Sequence, residues 1–229
     1  MLDETLAIVS FILGGMAVLF CAHFGKKYLF ALSTFIIVAT NATVGIQVEL
    51  FGFSVSWGVI LYSLIYIITD ILSEFDEKNS AYQLAITNVA IQIIFWSYIF
   101  LTLPLKNVQT GETFNALSQL YSVTPRITIA AIIASLGAFV DVWIYQKIRE
   151  WAIKRESSLG SLVIRNNIST FIGQTVNTVL FFGIALYGVV PNIVDIILGA
   201  VFFKWIIALL DTGIILLASL VYKNKEINS

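Results

Sequence analysis

The chain has 229 residues, of which 59% are hydrophobic and only 12% charged, and its mean hydropathy is +0.91. This composition excludes an ordinary soluble domain. The formal net charge of −1 excludes a broad basic surface and argues against nucleic acid as a partner. A single cysteine cannot form an internal disulfide, and one cysteine with one histidine does not provide a zinc site. We expect no metal and no cofactor.

Hydropathy predicts seven membrane spans, all helical, in one transmembrane domain covering residues 1–229. They lie at about 5 to 22, 28 to 48, 53 to 73, 81 to 103, 126 to 149, 166 to 188 and 192 to 222. The first span follows the acidic pair Asp3 and Glu4 rather than a basic segment, so we interpret it as retained and not as a cleaved signal. The fold class is an all-α, polytopic integral membrane protein.

The distribution of lysine and arginine predicts the orientation. With the N-terminus outside, ten basic residues lie in inner connections and two, Lys106 and Arg126, in outer ones. The C-terminus is then inside. We expect a multi-pass protein of the cell membrane, in the inner or plasma membrane of a prokaryote, surrounded by lipid; a homo-oligomer is compatible with the sequence. The basic segment from Lys147 to Arg165 is interpreted as a topology anchor, with contact to anionic lipid or to a partner as the alternative.

Three aspartates, Asp70, Asp141 and Asp211, each interrupt an apolar stretch, at spacings of 71 and 70 residues. A carboxylate inside a span costs roughly 2.5 to 3.5 kcal/mol, so such residues indicate a site, a partner or a packing role. The predicted orientation places all three in the inner half of parallel spans. For Asp141 an ion pair with Lys204 is the structural alternative, and Asp70 is expected at the inner interface beside Glu74, half in water.

Other polar residues recur at helical spacing. In span three, Tyr62, Tyr66 and Asp70 share one stripe near Trp57, with anchoring of the tyrosines at lipid headgroups as the alternative. The most polar face belongs to span six and comprises Thr170, Gln174, Asn177 and Thr178. A face with two amides and two hydroxyls favours a wet cavity over helix packing. In span seven, Lys204 and Asp211 lie about 10 Å apart along the axis, so each is expected to meet another helix or the substrate.

Several segments in order resemble the queuosine precursor transporters, also called the vitamin uptake transporter family. They are Asn41 to Gly52, Trp57-Gly58, Thr69 to Glu74, Asp141 to Tyr145 with Arg149, Asn166 to Thr178, and Phe203-Lys204 through Asp211-Thr212. The resemblance covers about residues 35 to 222.

The resemblance implies import of a 7-deazaguanine precursor of queuosine, either the 7-cyano or the 7-aminomethyl base. It also implies a six-helix core at about 28 to 222, somewhat like the substrate-binding subunits of energy-coupling-factor vitamin importers, with the helix at about 5 to 22 as an addition. One departure is Asn177, which stands where the family commonly has aspartate.

The residue inventory fits such a ligand. A carboxylate matches the adjacent N–H donors of a guanine-like edge, amides match its carbonyl, and an aromatic ring stacks on its face. Trp96 and Trp205 lie near mid-span and are candidates for that ring, with packing as the alternative. The predicted substrate-binding residues are Asn41, Gln47, Trp57, Tyr62, Tyr66, Asp70, Glu74, Asp141, Gln174, Asn177, Lys204 and Asp211.

Two other functional classes are compatible with a membrane protein of this size, an enzyme and a non-transporting subunit. An enzyme is not expected, because the sequence has neither a nucleophile with a base nor an HExxH motif. The alternative that stays open is a substrate-binding membrane subunit of an energised complex, or an importer of another purine-like or vitamin-like small molecule. A second expectation is that Asp141 or Asp211 exchanges a proton during transport.

Overall fold

The computed structural model describes residues 2–43, 46–76, 79–102, 124–153, 159–188 and 192–226. In chain order they form α1 (Leu2–Phe24), α2 (Lys26–Thr43), β1 (Gln47–Leu50), β2 (Phe53–Ser56), α3 (Gly58–Phe75), α4 (Ser80–Thr102), α5 (Thr124–Ala134), α6 (Leu136–Ile153), α7 (Leu159–Ala185) and α8 (Ile193–Glu226). The prediction of an all-α polytopic membrane protein is confirmed.

Six stretches of the described helices are long and apolar enough to cross a membrane. They are Leu2–Phe24, Gly58–Phe75, Ser80–Thr102, Ile129–Ile153, Leu162–Ala185 and Ile193–Val221. The second predicted span is not among them, because α2 ends at Thr43 and carries two lysines, three threonines and Asn41 in 18 residues.

Helix α3 is the centre of the bundle. Fourteen of its 18 residues are buried, and it contacts α1, α2, α4, α6 and α8. Most of its isoleucines and leucines pack into one apolar cluster with residues of α1, α2, α4 and α8, which include Val18, Leu29, Leu84 and Ile215. Because other helices surround α3, its polar groups are enclosed by protein.

A β-hairpin lies where the second and third spans were predicted to end and begin, so those two boundaries were wrong. Strands β1 and β2 pair antiparallel from Gln47↔Ser56 to Leu50↔Phe53. Both turn residues, Phe51 and Gly52, have positive φ values of 53° and 81°, as a two-residue type I′ turn requires. Buried Leu50 and Val55 pack against apolar residues of α1, α3, α7 and α8, which fixes the hairpin to one end of the bundle.

The chain between α5 and α6 turns irregularly at Ser135. The Ala138 N–H donates to Ser135 O at 3.0 Å, three residues back, and the Ser135 hydroxyl donates to Ala131 O at 2.9 Å. Because Ala138 does not bond four residues back, the Ala134 carbonyl is released from the helical ladder. Such a carbonyl inside a membrane protein needs another donor.

Two glycines allow α6 and α7 to cross closely. A Cβ on Gly137 would lie 2.5 Å from Gly173 O, and a Cβ on Gly173 would lie 2.5 Å from the Cβ of Asp141 and 2.8 Å from Gly137 O. Small residues at a crossing let helix backbones approach, as is common in membrane bundles. This crossing places Asp141 directly against the polar face of α7.

Candidate substrate site

A cavity opens between α2, α3, α4, α5, α7 and α8, beside the end of β2. Its empty space is about 510 Å³, counting the part that is open to the surroundings. The apolar part of its wall includes Val59, Phe181 and Phe182, and the polar part lies on two sides. Thr40, Asn41 and Gln92 belong to the α2–α4 side, whereas Tyr62, Asn177 and Lys204 belong to the side formed by α3, α7 and α8. A mostly apolar cleft with a few convergent polar groups is the usual form of a small-molecule site.

Asn177 organises the second side. Its Nδ2 donates to the released Ala134 carbonyl at 3.0 Å and to the Tyr62 hydroxyl at 3.2 Å, while its Oδ1 accepts from Lys204 Nζ at 2.9 Å. Lys204 Nζ also lies 5.4 Å from the centre of the Tyr62 ring, within cation–π range. Position 177 therefore uses both the donor and the acceptor of an amide, which an aspartate would not supply together.

The α2–α4 side differs in that its polar atoms are unmatched. Thr40 Oγ1, Asn41 Nδ2 and Gln92 Oε1 are buried and have no hydrogen-bond partner in the part of the chain that the structure describes. One turn before Gln92 on α4, Asn88 Oδ1 accepts from the Ser33 hydroxyl of α2 at 2.9 Å, so the two helices are joined next to these atoms.

The three aspartates lie outside the cavity wall, in a polar core that α7 joins together. Thr170 donates to Asp70 Oδ2 at 3.1 Å, Asn166 Nδ2 donates to Asp211 Oδ1 at 3.1 Å, and Thr69 Oγ1 lies 3.5 Å from Asp141 Oδ2. Each aspartate is at most 1% exposed. The expectation that Asp70 is half in water was wrong, because α3 is enclosed by other helices. Asp70 and Asp211 thus share α7 as a hydrogen-bond partner, and Asp141 lies against Gly173 of the same helix.

Lys204 and Asp141 do not form the ion pair that was considered for them: within the described ranges, Lys204 bonds Asn177 and Asp141 meets Thr69. Lys204 and Asp211 each meet α7, in agreement with the expectation that each contacts another helix. No group of three or more histidine, cysteine, aspartate or glutamate residues suited to a metal ion occurs among the described residues.

Glu74 belongs to a charged network at the C-terminal end of α3. Its carboxylate accepts from Arg165 through both Nε, at 3.2 Å, and Nη2, and from the Tyr145 hydroxyl at 2.9 Å. Arg149 donates to the carbonyls of Ser73 at 2.7 Å and Glu74 at 3.0 Å, which satisfies the end of α3. Arg149 and Arg165, interpreted from the sequence as topology anchors, therefore also hold α6 and α7 against α3.

The remaining predicted site residues are spread over the bundle. Tyr66 donates to Gly173 O at 3.4 Å, and both amide atoms of Gln174 are buried without a partner in the described structure. Gln47 is exposed on β1, and Trp57 precedes α3 and packs with the apolar residues under the hairpin. Trp205 stacks on Phe171 and donates to Thr175 Oγ1 at 3.0 Å, which is a packing role. Four predicted residues line the cavity, namely Asn41, Tyr62, Asn177 and Lys204.

Sequence reasoning missed Thr40, Gln92 and Ser56 as cavity residues. One signal was present, since Asn88, Gln92 and Trp96 recur four residues apart on the otherwise apolar α4 and thus share a face. All three are buried, and the Trp96 Nε1 also has no partner among the described residues.

The chain is similar in sequence to known membrane transporters. Residues 56–218 match the family model described as "Putative vitamin uptake transporter". The chain is 30% identical over 192 residues to a protein of Bacillus subtilis (strain 168) named "Probable queuosine precursor transporter", covering 81% of this chain and 78% of that protein. It is 27% identical over 168 residues to the "Queuosine precursor transporter" of Escherichia coli (strain K12), covering 70% of each. No solved structure matches significantly.

Proposed function

Because the chain belongs to the vitamin uptake transporter family, we propose that it imports a queuosine precursor and binds it in the cavity beside the hairpin. It is a multi-pass membrane protein, and a prokaryotic inner membrane fits its bacterial relatives. The observation that carries the proposal is the cavity itself, whose apolar walls and few amide, hydroxyl and ammonium groups suit a flat, neutral, polar-edged base. In the predicted orientation the hairpin end faces outward, which is the side from which an importer takes its substrate.

Among the two precursors, we favour the 7-cyano base over the 7-aminomethyl base. Lys204 is 3% exposed and lines the cavity, and no aspartate or glutamate is among the lining residues that the structure describes. An aminomethyl group is a cation at neutral pH. Such a cation would meet a buried lysine and no carboxylate among the described lining residues, so nothing there compensates the loss of its hydration. A nitrile carries no charge and accepts a hydrogen bond.

Competition for uptake tests this choice. Cells or liposomes containing the protein are given labelled 7-cyano-7-deazaguanine together with either unlabelled precursor, and the two inhibition constants are compared. We expect the wild-type protein to prefer the cyano base by at least tenfold and the variant Lys204→Met to narrow that ratio. Lys147→Met is the control, because Lys147 is exposed on α6 and is not among the residues that line the cavity. An unchanged ratio in Lys204→Met would refute the role of Lys204.

Purified protein in liposomes also separates a self-sufficient carrier from a binding subunit. Transport by the purified chain alone supports the carrier, and binding without transport supports the subunit. The same uptake measured with and without an uncoupler tests whether a proton moves with the substrate; uptake that is insensitive to the uncoupler would argue against proton exchange at Asp141 or Asp211.

A further inference from the structure

The two polar sides of the cavity differ in how fully their hydrogen bonds are made. On the α3–α7–α8 side, Tyr62, Asn177 and Lys204 bond one another and the Ala134 carbonyl. On the α2–α4 side, Thr40 Oγ1, Asn41 Nδ2 and Gln92 Oε1 are buried and unmatched within the described residues. An unmatched buried polar atom costs about 1 to 3 kcal/mol, so three of them on one wall call for an explanation.

The unmatched atoms have a specific chemical pattern. Asn41 Nδ2 is a donor, Gln92 Oε1 is an acceptor, and the Thr40 hydroxyl serves as either. A guanine-type edge presents the complementary set, with a carbonyl oxygen next to a ring N–H and an exocyclic amino group. Asn41 matches the carbonyl, and Gln92 with Thr40 matches the N–H donors. The Ser33–Asn88 bond joins α2 to α4 one turn from Gln92, which holds this wall in place.

We propose, on the basis of the proposed function, that Thr40, Asn41 and Gln92 of the α2–α4 wall form hydrogen bonds with the polar edge of the base. Asn177 and Lys204 form a pre-arranged support on the opposite wall. Specificity then depends on Gln92, a residue of α4, more than on the polar face of α7. A site built to bond a ligand N–H rejects analogues that lack it, because its own buried acceptor is then left unpaired.

The experiment compares two ligands that differ only in the amino group, 7-cyano-7-deazaguanine and its analogue without the 2-amino group. Affinity is measured by thermal shift of the detergent-solubilised protein and by competition for uptake. The wild-type protein should prefer the amino-bearing base by about tenfold, the equivalent of one net hydrogen bond. In Gln92→Leu that preference should fall to about one.

Gln83→Leu is the matched control, since it makes the same substitution on the exposed face of α4. Thr40→Val provides a second variant of nearly unchanged shape and should weaken the preference even if Gln92→Leu does not fold. A Gln92→Leu protein that binds and transports with the wild-type preference would overturn this inference and leave the proposed function intact. A wild-type protein that neither binds nor transports the amino-bearing base would overturn the proposed function itself.

Discussion

Gly173→Ala tests the closest contact in the bundle. The added Cβ would lie 2.5 Å from the Cβ of Asp141 and 2.8 Å from Gly137 O, and it would lie 3.1 Å from the Cα of Asp141. The obstructing atoms are main-chain atoms and a Cβ, so no side-chain rotation relieves the overlap and α6 must move away from α7 by about 1 Å. Overpacking of this kind costs about 3 kcal/mol, at the upper end of the usual range, and lowers Tm by roughly 6 to 12 °C for a chain of this size.

The matched control is Gly183→Ala on the same helix, where nothing lies within 4 Å of the added Cβ. Alanine is favoured over glycine in a helix by about 0.5 to 1 kcal/mol, so this control should be neutral or slightly stabilising. Tryptophan fluorescence during heating, with size-exclusion profiles of the detergent-purified proteins, gives both Tm values. Equal Tm values for the two variants would refute the close α6–α7 crossing.

Three further substitutions should change the stability of the fold in a defined direction. Glu74→Gln removes the charge opposite Arg165, whose side chain is buried, and should cost about 2 to 3 kcal/mol. Asp76→Asn weakens the 3.5 Å pair with Lys26, whose side chain is 42% exposed, and should cost about 1 kcal/mol or less; similar losses of Tm in the two variants would argue against the network around Glu74. Phe51→Gly relieves the backbone strain of a non-glycine residue at φ 53°, and because Phe51 is 59% exposed the substitution should stabilise the fold by about 1 kcal/mol. Gly52→Ala should change Tm in the opposite direction, and a lower Tm for Phe51→Gly would contradict the turn geometry. Asn177→Asp replaces the amide that donates to Ala134 O with a second acceptor, which should lower the free energy of unfolding by about 1 to 3 kcal/mol. Attraction between the new carboxylate and Lys204 should offset part of this loss. A variant that melts well above the wild type would show that the bond to Ala134 contributes little.

The polar face of α7 shows what helical periodicity can and cannot predict. The spacing of Thr170, Gln174, Asn177 and Thr178 correctly predicts one buried face, because the 3.6-residue period is a property of the local chain. The same spacing does not say what that face meets. In the structure Thr170 bonds Asp70 and Asn177 bonds Ala134 and Lys204, and these partners come from three other helices.

The sequence by itself determined the membrane class, the approximate helices and the family, because hydropathy and motif order are carried by contiguous residues. Tertiary structure alone decided that Asp70 is enclosed and that Gln92 lines the cavity. It also decided that residues 47–56 form a hairpin, which Leu50 and Val55 attach to the bundle. The physical reason is that burial depends on the rotation and separation of packed helices. These are set by contacts between distant residues such as Gly137 and Gly173, which no local pattern records.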